Sequence, residues 1–217
     1  MELIPIIDTD TLELKGFVER KWAERNRLCH LTTLLIPLRC DDGKVAIQIR
    51  PEGKSFAGYR DFFGGHVTLN KEFWAFLIGQ RFDLQSIVWS ATIREANEEL
   101  RMIREDGYPE VVKEHLLIIG NIGDFPWSGR QNVERSTLFV VKIPRGCVIR
   151  PMDDVKGIFV PVETEFLTLN QVLEKYRKKQ WNFADGAERV LKRFDENKKL
   201  LESVYDIITS ISAEGSK

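Results

Sequence analysis

The sequence predicts an α/β protein in which a mixed sheet is flanked by helices. Two β-rich runs, 31–39 and 44–50, are joined by Asp-Asp-Gly, a hairpin turn signal. A long stretch, 185–211, carries apolar residues at helical spacing. Strands, hairpins and helices interleave along the chain, which is typical of a mixed sheet covered by helices.

Composition is that of an ordinary globular protein, with 217 residues, 43% apolar and 30% charged. The net charge of −1 argues against general nucleic-acid binding or attraction to a membrane surface. Three cysteines without a C-x-x-C pair indicate neither a disulfide framework nor a zinc site. The N-terminus lacks a signal-peptide pattern and the longest apolar run, 34–38, is too short to span a bilayer, so we expect a cytoplasmic protein.

The N-terminal third is predicted to be mostly strands. Residues 3–7 contain Pro5 and favour an edge strand, with residues 12–18 as a hairpin partner. Residues 19–27 are predicted to be helix or loop. The hairpin of 31–39 and 44–50 follows, and a loop then leads to Gly64.

The middle of the chain is predicted to hold its main helix. Residues 69–86 favour a short amphipathic helix and a turn, and Asp83 is a suitable N-cap for a helix that continues to about Arg104. Residues 116–125 and 133–143 are predicted strands on either side of a loop.

The last third is predicted to be mainly helical. After a short strand at 157–163, Thr168 and Gln171 form a capping-box pattern for a helix to about residue 179. Residues 185–211 favour one long helix. Its apolar stripe is interpreted as packing against the rest of the chain, with a homodimer contact as the second interpretation.

The main helix carries a cluster of charged residues, Arg94, Glu95, Glu98 and Glu99. At 3.6 residues per turn, the three carboxylates share one face, where like charges at this spacing are destabilising. A hard divalent cation such as Mg²⁺ would remove that penalty, because carboxylate oxygens are its preferred ligands. The pattern therefore indicates a metal site, and the alternative is a solvated helix face with an Arg94–Glu98 pair.

Gly64-Gly65-His66-Val67, taken with A-T-I-R-E-A-N-E-E-L at 91–100, resembles the Nudix hydrolase signature G-x5-E-x7-R-E-U-x-E-E-x-G-U. The upstream Ile47-Gln48-Ile49-Arg50, Gly53-Lys54 and Gly58 resemble one branch of that superfamily, which also looks like isopentenyl diphosphate isomerase. The resemblance covers about residues 3–175. It implies an α/β/α sandwich with a mixed sheet, a Nudix domain at 1–180, and a C-terminal helical extension at 181–217.

The chain departs from the signature in three places. Positions 66–85 separate Gly65 from Ser86, where the signature has five residues, so residues 68–85 are interpreted as an insert. Ser86 stands where the signature has its first glutamate, whose supporting role we assign to Asp83 or Asp61. Arg101 replaces the glycine that usually ends the helix.

The resemblance implies roles for the charged residues. Glu95, Glu98 and Glu99, with the carbonyl of Gly64, are the implied ligands of Mg²⁺ or Mn²⁺. Arg94 is expected to hold the glycine loop against the helix. A further carboxylate, Glu134, opens a strand after a loop, where this family often places a metal ligand or general base; an edge-strand charge is the alternative.

Four other residues are candidates for substrate binding. Arg50 and Lys54 would pair with diphosphate oxygens, since both cations suit phosphate. Phe63 and Trp127 would stack on a base or cover the substrate, with core packing as the alternative. His66, His30 and His115 are interpreted as structural.

The implied activity is metal-dependent hydrolysis of a small-molecule diphosphate, namely a nucleoside diphosphate linked to another moiety or a similar organic pyrophosphate. The first alternative is a nucleotide-binding sensor without turnover, motivated by Ser86 and the insert. The second is isopentenyl diphosphate isomerisation, which in the family uses a cysteine where this chain has Phe63-Gly64-Gly65-His66.

Overall fold

The computed structural model describes residues 2–68, 84–126 and 133–214. Thirteen strands are found in these ranges. They are β1 (Leu3–Ile7), β2 (Leu14–Glu19), β3 (Cys29–Arg39), β4 (Val45–Ile49), β5 (Arg60–Asp61), β6 (Phe63–His66), β7 (Met102–Ile103), β8 (Leu116–Pro126), β9 (Val133–Ile143), β10 (Val148–Ile149), β11 (Met152–Val155), β12 (Ile158–Pro161) and β13 (Thr164–Leu167).

The same ranges contain five α-helices and a short 3-10 helix at Val112–His115. The α-helices are α1 (Arg20–Arg25), α2 (Leu84–Leu100), α3 (Leu169–Arg177), α4 (Asp185–Glu196) and α5 (Lys198–Glu214). Among these helices, none has both the length and the apolar character that a membrane span requires.

β3 is the centre of a mixed sheet. Along its full length it pairs in parallel with β9. Its other edge meets β1 at His30, β6 at Thr32 to Leu35 and β4 at Leu38, all antiparallel. Because β6 is held in the middle of the sheet, Gly64 and Gly65 have a fixed position beside the central strand.

The sheet has an apolar core on each face. Leu31 and Leu35 of β3 pack with Phe63 and α2 on one side. Leu34, Ile36 and Leu38 pack with α3, α4 and α5 on the other. This alternation follows from the two-residue period of a strand, and it confirms the predicted arrangement of helices on both faces of a mixed sheet.

Three sequence predictions about elements are wrong. β1 is not an edge strand, since β2 pairs with one side of it and β3 with the other. The only paired residues of β1 and β3 are Ile6 and His30. The missing N–H of Pro5 therefore interrupts little of this pairing. α2 ends at Leu100, because Arg101 takes a left-handed φ of 45°. The helix predicted for 185–211 is two helices.

Asn197 is the point at which that helix divides. Its backbone is extended, with φ −130° and ψ 90°, and its side chain accepts a hydrogen bond from the N–H of Leu200 at 3.2 Å. A side chain of this kind starts a new helix. Elsewhere the capping box of Thr168 and Gln171 forms as predicted. Residues 69–83, which hold most of the predicted short helix and of the insert, lie outside the described residues, and residues 84–86 belong to α2.

The residues after 180 pack on the sheet. Ala187, Val190 and Phe194 of α4 and Val204 of α5 are all buried in the second apolar core. Dimerisation through this region stays a prediction.

Candidate active site

Two glycines of β6 are closely packed, Gly64 against the backbone of β3 and Gly65 against a carboxylate of α2. Gly64 has φ +124°, and a Cβ there would lie 2.2 Å from the carbonyl oxygen of Thr33. A Cβ on Gly65 would lie 2.8 Å from a carboxylate oxygen of Glu95. A side chain at Gly64 would therefore push β3 and β6 apart, and one at Gly65 would displace the Glu95 carboxylate.

The acidic residues of α2 continue its buried stripe. Glu95 and Glu99 are each 8% exposed and follow Val88 and Ala91 on the face that packs against the sheet. Glu99 accepts a hydrogen bond from the backbone N–H of Gly64 at 2.7 Å. The buried side of α2 therefore presents carboxylates to β6 at the end of an otherwise apolar face.

Arg94 connects α2 to β6, the glycine strand that contains Gly64 and Gly65. One guanidinium nitrogen donates to Glu98 at 2.9 Å, and another donates to the carbonyl of His66 at 3.2 Å and to Glu95 at 2.5 Å. The role of Arg94 in the reaction stays a prediction. Asp61 does not support Arg94, because its carboxylate binds Arg50 and the N–H of Ala187 instead; Asp83 lies outside the described residues.

Burial and mutual repulsion raise the pKa values of Glu95 and Glu99, the two buried carboxyls of α2. Burial raises the pKa of Glu95 to about 7, with Arg94 opposing the shift and Glu98 adding to it. Burial, together with the charge of Glu95, raises the pKa of Glu99 well above its usual value, against the hydrogen bond from Gly64. Perturbed carboxyls with hard oxygen donors in a cleft are typical of a functional site and fit a divalent cation.

The opposite wall holds a second ionic cluster around Glu134. Its carboxylate pairs with Arg189 of α4 at 2.6 Å, and its other oxygen is 3.8 Å from Nε2 of His66. Arg189 also donates to the hydroxyl of Ser136 at 3.3 Å. Arg189 is 7% exposed. A segment that the sequence placed outside the catalytic domain therefore contributes a charge to this wall.

His30, His66 and Glu134 form a further set of donors, with ligand atoms within 4.8 Å of one another. Burial, aided by the charge of Arg20, lowers the pKa of His66 well below its usual value, so the ring is neutral. Two features weigh against a cation at this place. The histidine rings are stacked only 16° from parallel, whereas a shared metal must lie in both ring planes, and Arg189 already neutralises Glu134.

The predicted phosphate-binding cations both have partners. Arg50 pairs with buried Asp61 at 2.7 Å and donates to the carbonyl of Ser55, so it fixes the β4–β5 loop. Lys54 reaches Asp153 of β11 at 2.9 Å. Both side chains nonetheless line the same cleft as the α2 carboxylates.

The proposed stacking role of Phe63 is wrong. Its side chain is fully buried and packs in the core beneath α2. Trp127 lies outside the described residues.

One cleft of about 790 Å³ brings the remaining predicted residues together. They are Arg50, Lys54, Gly64, Arg94, Glu95, Glu98, Glu99 and Glu134. The cleft also has lining residues that the sequence reasoning missed, and Asp153, Phe159 and Arg189 are among them. No spacing rule links them to the motif, although a buried arginine on an apolar helix stripe is a signal that could have identified Arg189.

Comparison with known proteins identifies the fold. No family model matches the chain, and neither does any curated protein. Among solved structures, DR0079 from Deinococcus radiodurans shares 17% identity over 88% of this chain and 98% of its own, with a TM-score of 0.52. A Nudix hydrolase from Alicyclobacillus acidocaldarius shares 12% over 75% and 89%, with a TM-score of 0.51.

A third structure, Tm1382, a candidate Nudix hydrolase, shares 16% identity over 88% of this chain and 97% of its own, with a TM-score of 0.51. The chain therefore has the Nudix hydrolase fold. The resemblance seen in the sequence is confirmed at that level, and the isomerase-like branch stays a prediction.

Proposed function

We propose that this protein is a metal-dependent hydrolase of a nucleoside diphosphate linked to another moiety, or of a related organic pyrophosphate. The observation that carries the proposal is the junction of α2 and β6. There Arg94 and Gly64 hold three carboxylates at one end of a charged cleft. A Nudix fold alone would not specify an activity.

Glu95, Glu98 and Glu99, with the carbonyl of Gly64, would hold Mg²⁺ or Mn²⁺. The cation, when bound, neutralises charge on the pyrophosphate and acidifies the attacking water. Arg94 orients Glu95 and Glu98 and keeps the glycine strand in place. Lys54 and Arg50 line the cleft and would attract the diphosphate oxygens.

A carboxylate accepts the proton of the attacking water. We propose Glu98 first, then Glu95, then Glu134. Glu98 is the most exposed of the three, with 39% of its side chain accessible, so a water molecule reaches it most easily. Glu134 is held by an ion pair with Arg189, so it is less free to meet a water molecule.

The test is release of phosphate from a panel of nucleoside diphosphate derivatives and other organic pyrophosphates with Mg²⁺ or Mn²⁺. Glu98→Gln should reduce kcat by a factor of about 10² or more, the usual contribution of a positioned base. Glu202→Gln, which removes an exposed carboxylate from α5, is the matched control and should be fully active.

A second candidate function is nucleotide sensing without hydrolysis. Ser86 at the position of the signature glutamate favours it. Tight nucleotide binding with no turnover on the whole panel, in wild type and Glu98→Gln alike, would establish the sensor and reject the hydrolase.

A further inference from the structure

The β11–β12 hairpin forms part of the cleft rim. Its strands pair from Met152 with Pro161 to Val155 with Ile158. Lys156 and Gly157 form the two-residue turn, both with positive φ, as a tight hairpin of this twist requires. The hairpin therefore presents its side chains in a defined direction.

Two contacts fasten this hairpin to the β4–β5 loop, which carries Gly53 and Lys54. Buried Asp153 pairs with Lys54 at 2.9 Å. Gly53, with φ +89°, lies against Val155 so closely that a Cβ would be 2.9 Å from its Cγ1. A group bound by the hairpin is thus held at a fixed distance from a group bound by Lys54.

Phe159 of β12 places an exposed aromatic ring in the part of the cleft formed by this hairpin. It is the only Phe, Tyr or Trp among the described residues of the cleft, and it is 39% exposed. The Arg101 guanidinium lies over its ring, 5.3 Å from the centroid. An exposed ring steadied by a cation in an otherwise polar cleft is a surface on which a flat molecule can stack.

We propose that Phe159 is the platform for the aromatic base of a nucleotide whose phosphates lie toward Lys54 and α2. This deepens the proposed function, on which it rests for the position of the phosphates. Asp154 sits opposite Phe159 in the hairpin and also lines the cleft, so polar groups surround the ring. An aliphatic chain would need a continuous apolar wall, whereas a heteroaromatic base has an apolar face and polar edges.

The experiment measures binding of AMP and of ribose 5-phosphate, which lacks the base, by calorimetry with Mg²⁺ present. Phe159→Ala should weaken AMP binding about tenfold, in line with the loss of one base–aromatic stack, and leave ribose 5-phosphate unchanged. Phe159→Tyr keeps a ring and should bind AMP like the wild type. Ile158→Ala, its exposed neighbour on the same strand, is the matched control and should change neither ligand.

The result separates this inference from the hydrolase proposal. Phe159-dependent AMP binding without turnover on the substrate panel supports the platform and rejects the hydrolase. Turnover on the panel with an unchanged AMP affinity in Phe159→Ala rejects the platform and keeps the hydrolase. Absence of AMP binding by the wild type also overturns the platform. Isopentenyl diphosphate, which has no base, serves as a further ligand. If it binds as tightly as AMP and loses affinity equally in Phe159→Ala, the platform is again rejected.

Discussion

Glu95 and Glu99 occupy positions on α2 that an apolar side chain would fill in an ordinary packed helix. Both are buried beside Gly64 and Gly65, and burial raises the pKa of each. Without a cation, the folded protein relieves this cost by holding protons that the unfolded chain releases. The residue-scale signature of the site is therefore a dependence of stability on pH and on metal.

We expect the metal-free protein to lose stability as the pH rises from about 4.5 to about 7. In that window folded Glu95, with its pKa near 7, binds a proton that the unfolded chain, with a pKa near 4.5, has lost. Glu95 accounts for about 3 kcal/mol of this loss, and Glu99, whose pKa burial also raises, adds to it as the pH rises further. Thermal unfolding in EDTA at about pH 5.5 and about pH 8 measures it.

Two comparisons check the assignment to Glu95. Glu95→Gln cannot ionise, so its stability should fall less across the same window. Adding Mn²⁺ at about pH 8 should stabilise the wild type, because the cation replaces the lost protons. A wild-type stability that rises with pH in EDTA would contradict the prediction.

At the scale of secondary-structure elements, a single buried side chain can bind two neighbouring elements and hold them together. Asp61, at the end of β5, pairs with Arg50 beyond β4 and accepts from the N–H of Ala187 in the first turn of α4. A Cβ on Gly186 would lie 2.8 Å from this carboxylate, so only glycine leaves room for it. The start of α4 is thus fixed by a residue 126 positions earlier in the chain.

Asp61→Ala should destabilise the protein by about 3 kcal/mol. The change removes the partner of Arg50 and leaves an N–H at the start of α4 without its acceptor. Urea unfolding measures the loss. Asp41→Ala, in an exposed turn, is the control and should stay within about 0.5 kcal/mol of the wild type. Equal stabilities of the two variants would show that the buried pair contributes little.

On the scale of the whole molecule, sequence reasoning predicted what local patterns encode. The spacing of Arg94, Glu95, Glu98 and Glu99 locates the acidic face of α2, because one helix holds all four. Phe63 could not be placed, since a strand shows which residues alternate but not which face is the core. Phe159 and Arg189 reach the cleft through tertiary packing, and the sequence motif does not encode that packing.

Arg189 shows this most clearly, because it lies in the region that the sequence assigned to a C-terminal extension. α4 packs on the sheet and inserts this arginine between Ser136 and Glu134. Both members of the Arg189–Glu134 pair are less than a tenth exposed. The helix after residue 180 is therefore part of the candidate site.

We expect Arg189→Met to lower both stability and turnover. Breaking a buried ion pair leaves one charge without compensation and costs about 3 kcal/mol or more. Combining it with Glu134→Gln removes that charge, so the double variant should recover most of the stability but not the turnover. Urea unfolding and the phosphate-release assay measure the two effects separately.

Arg193→Met is the matched control for this prediction. Arg193 follows one turn later on α4 and pairs with Glu196 near the surface, so its loss should leave turnover unchanged and cost much less stability. If Arg189→Met matched Arg193→Met in both measurements, α4 would only cover the sheet. A specific loss in Arg189→Met, with stability restored by Glu134→Gln, would show that α4 holds Glu134 in the wall of the cleft.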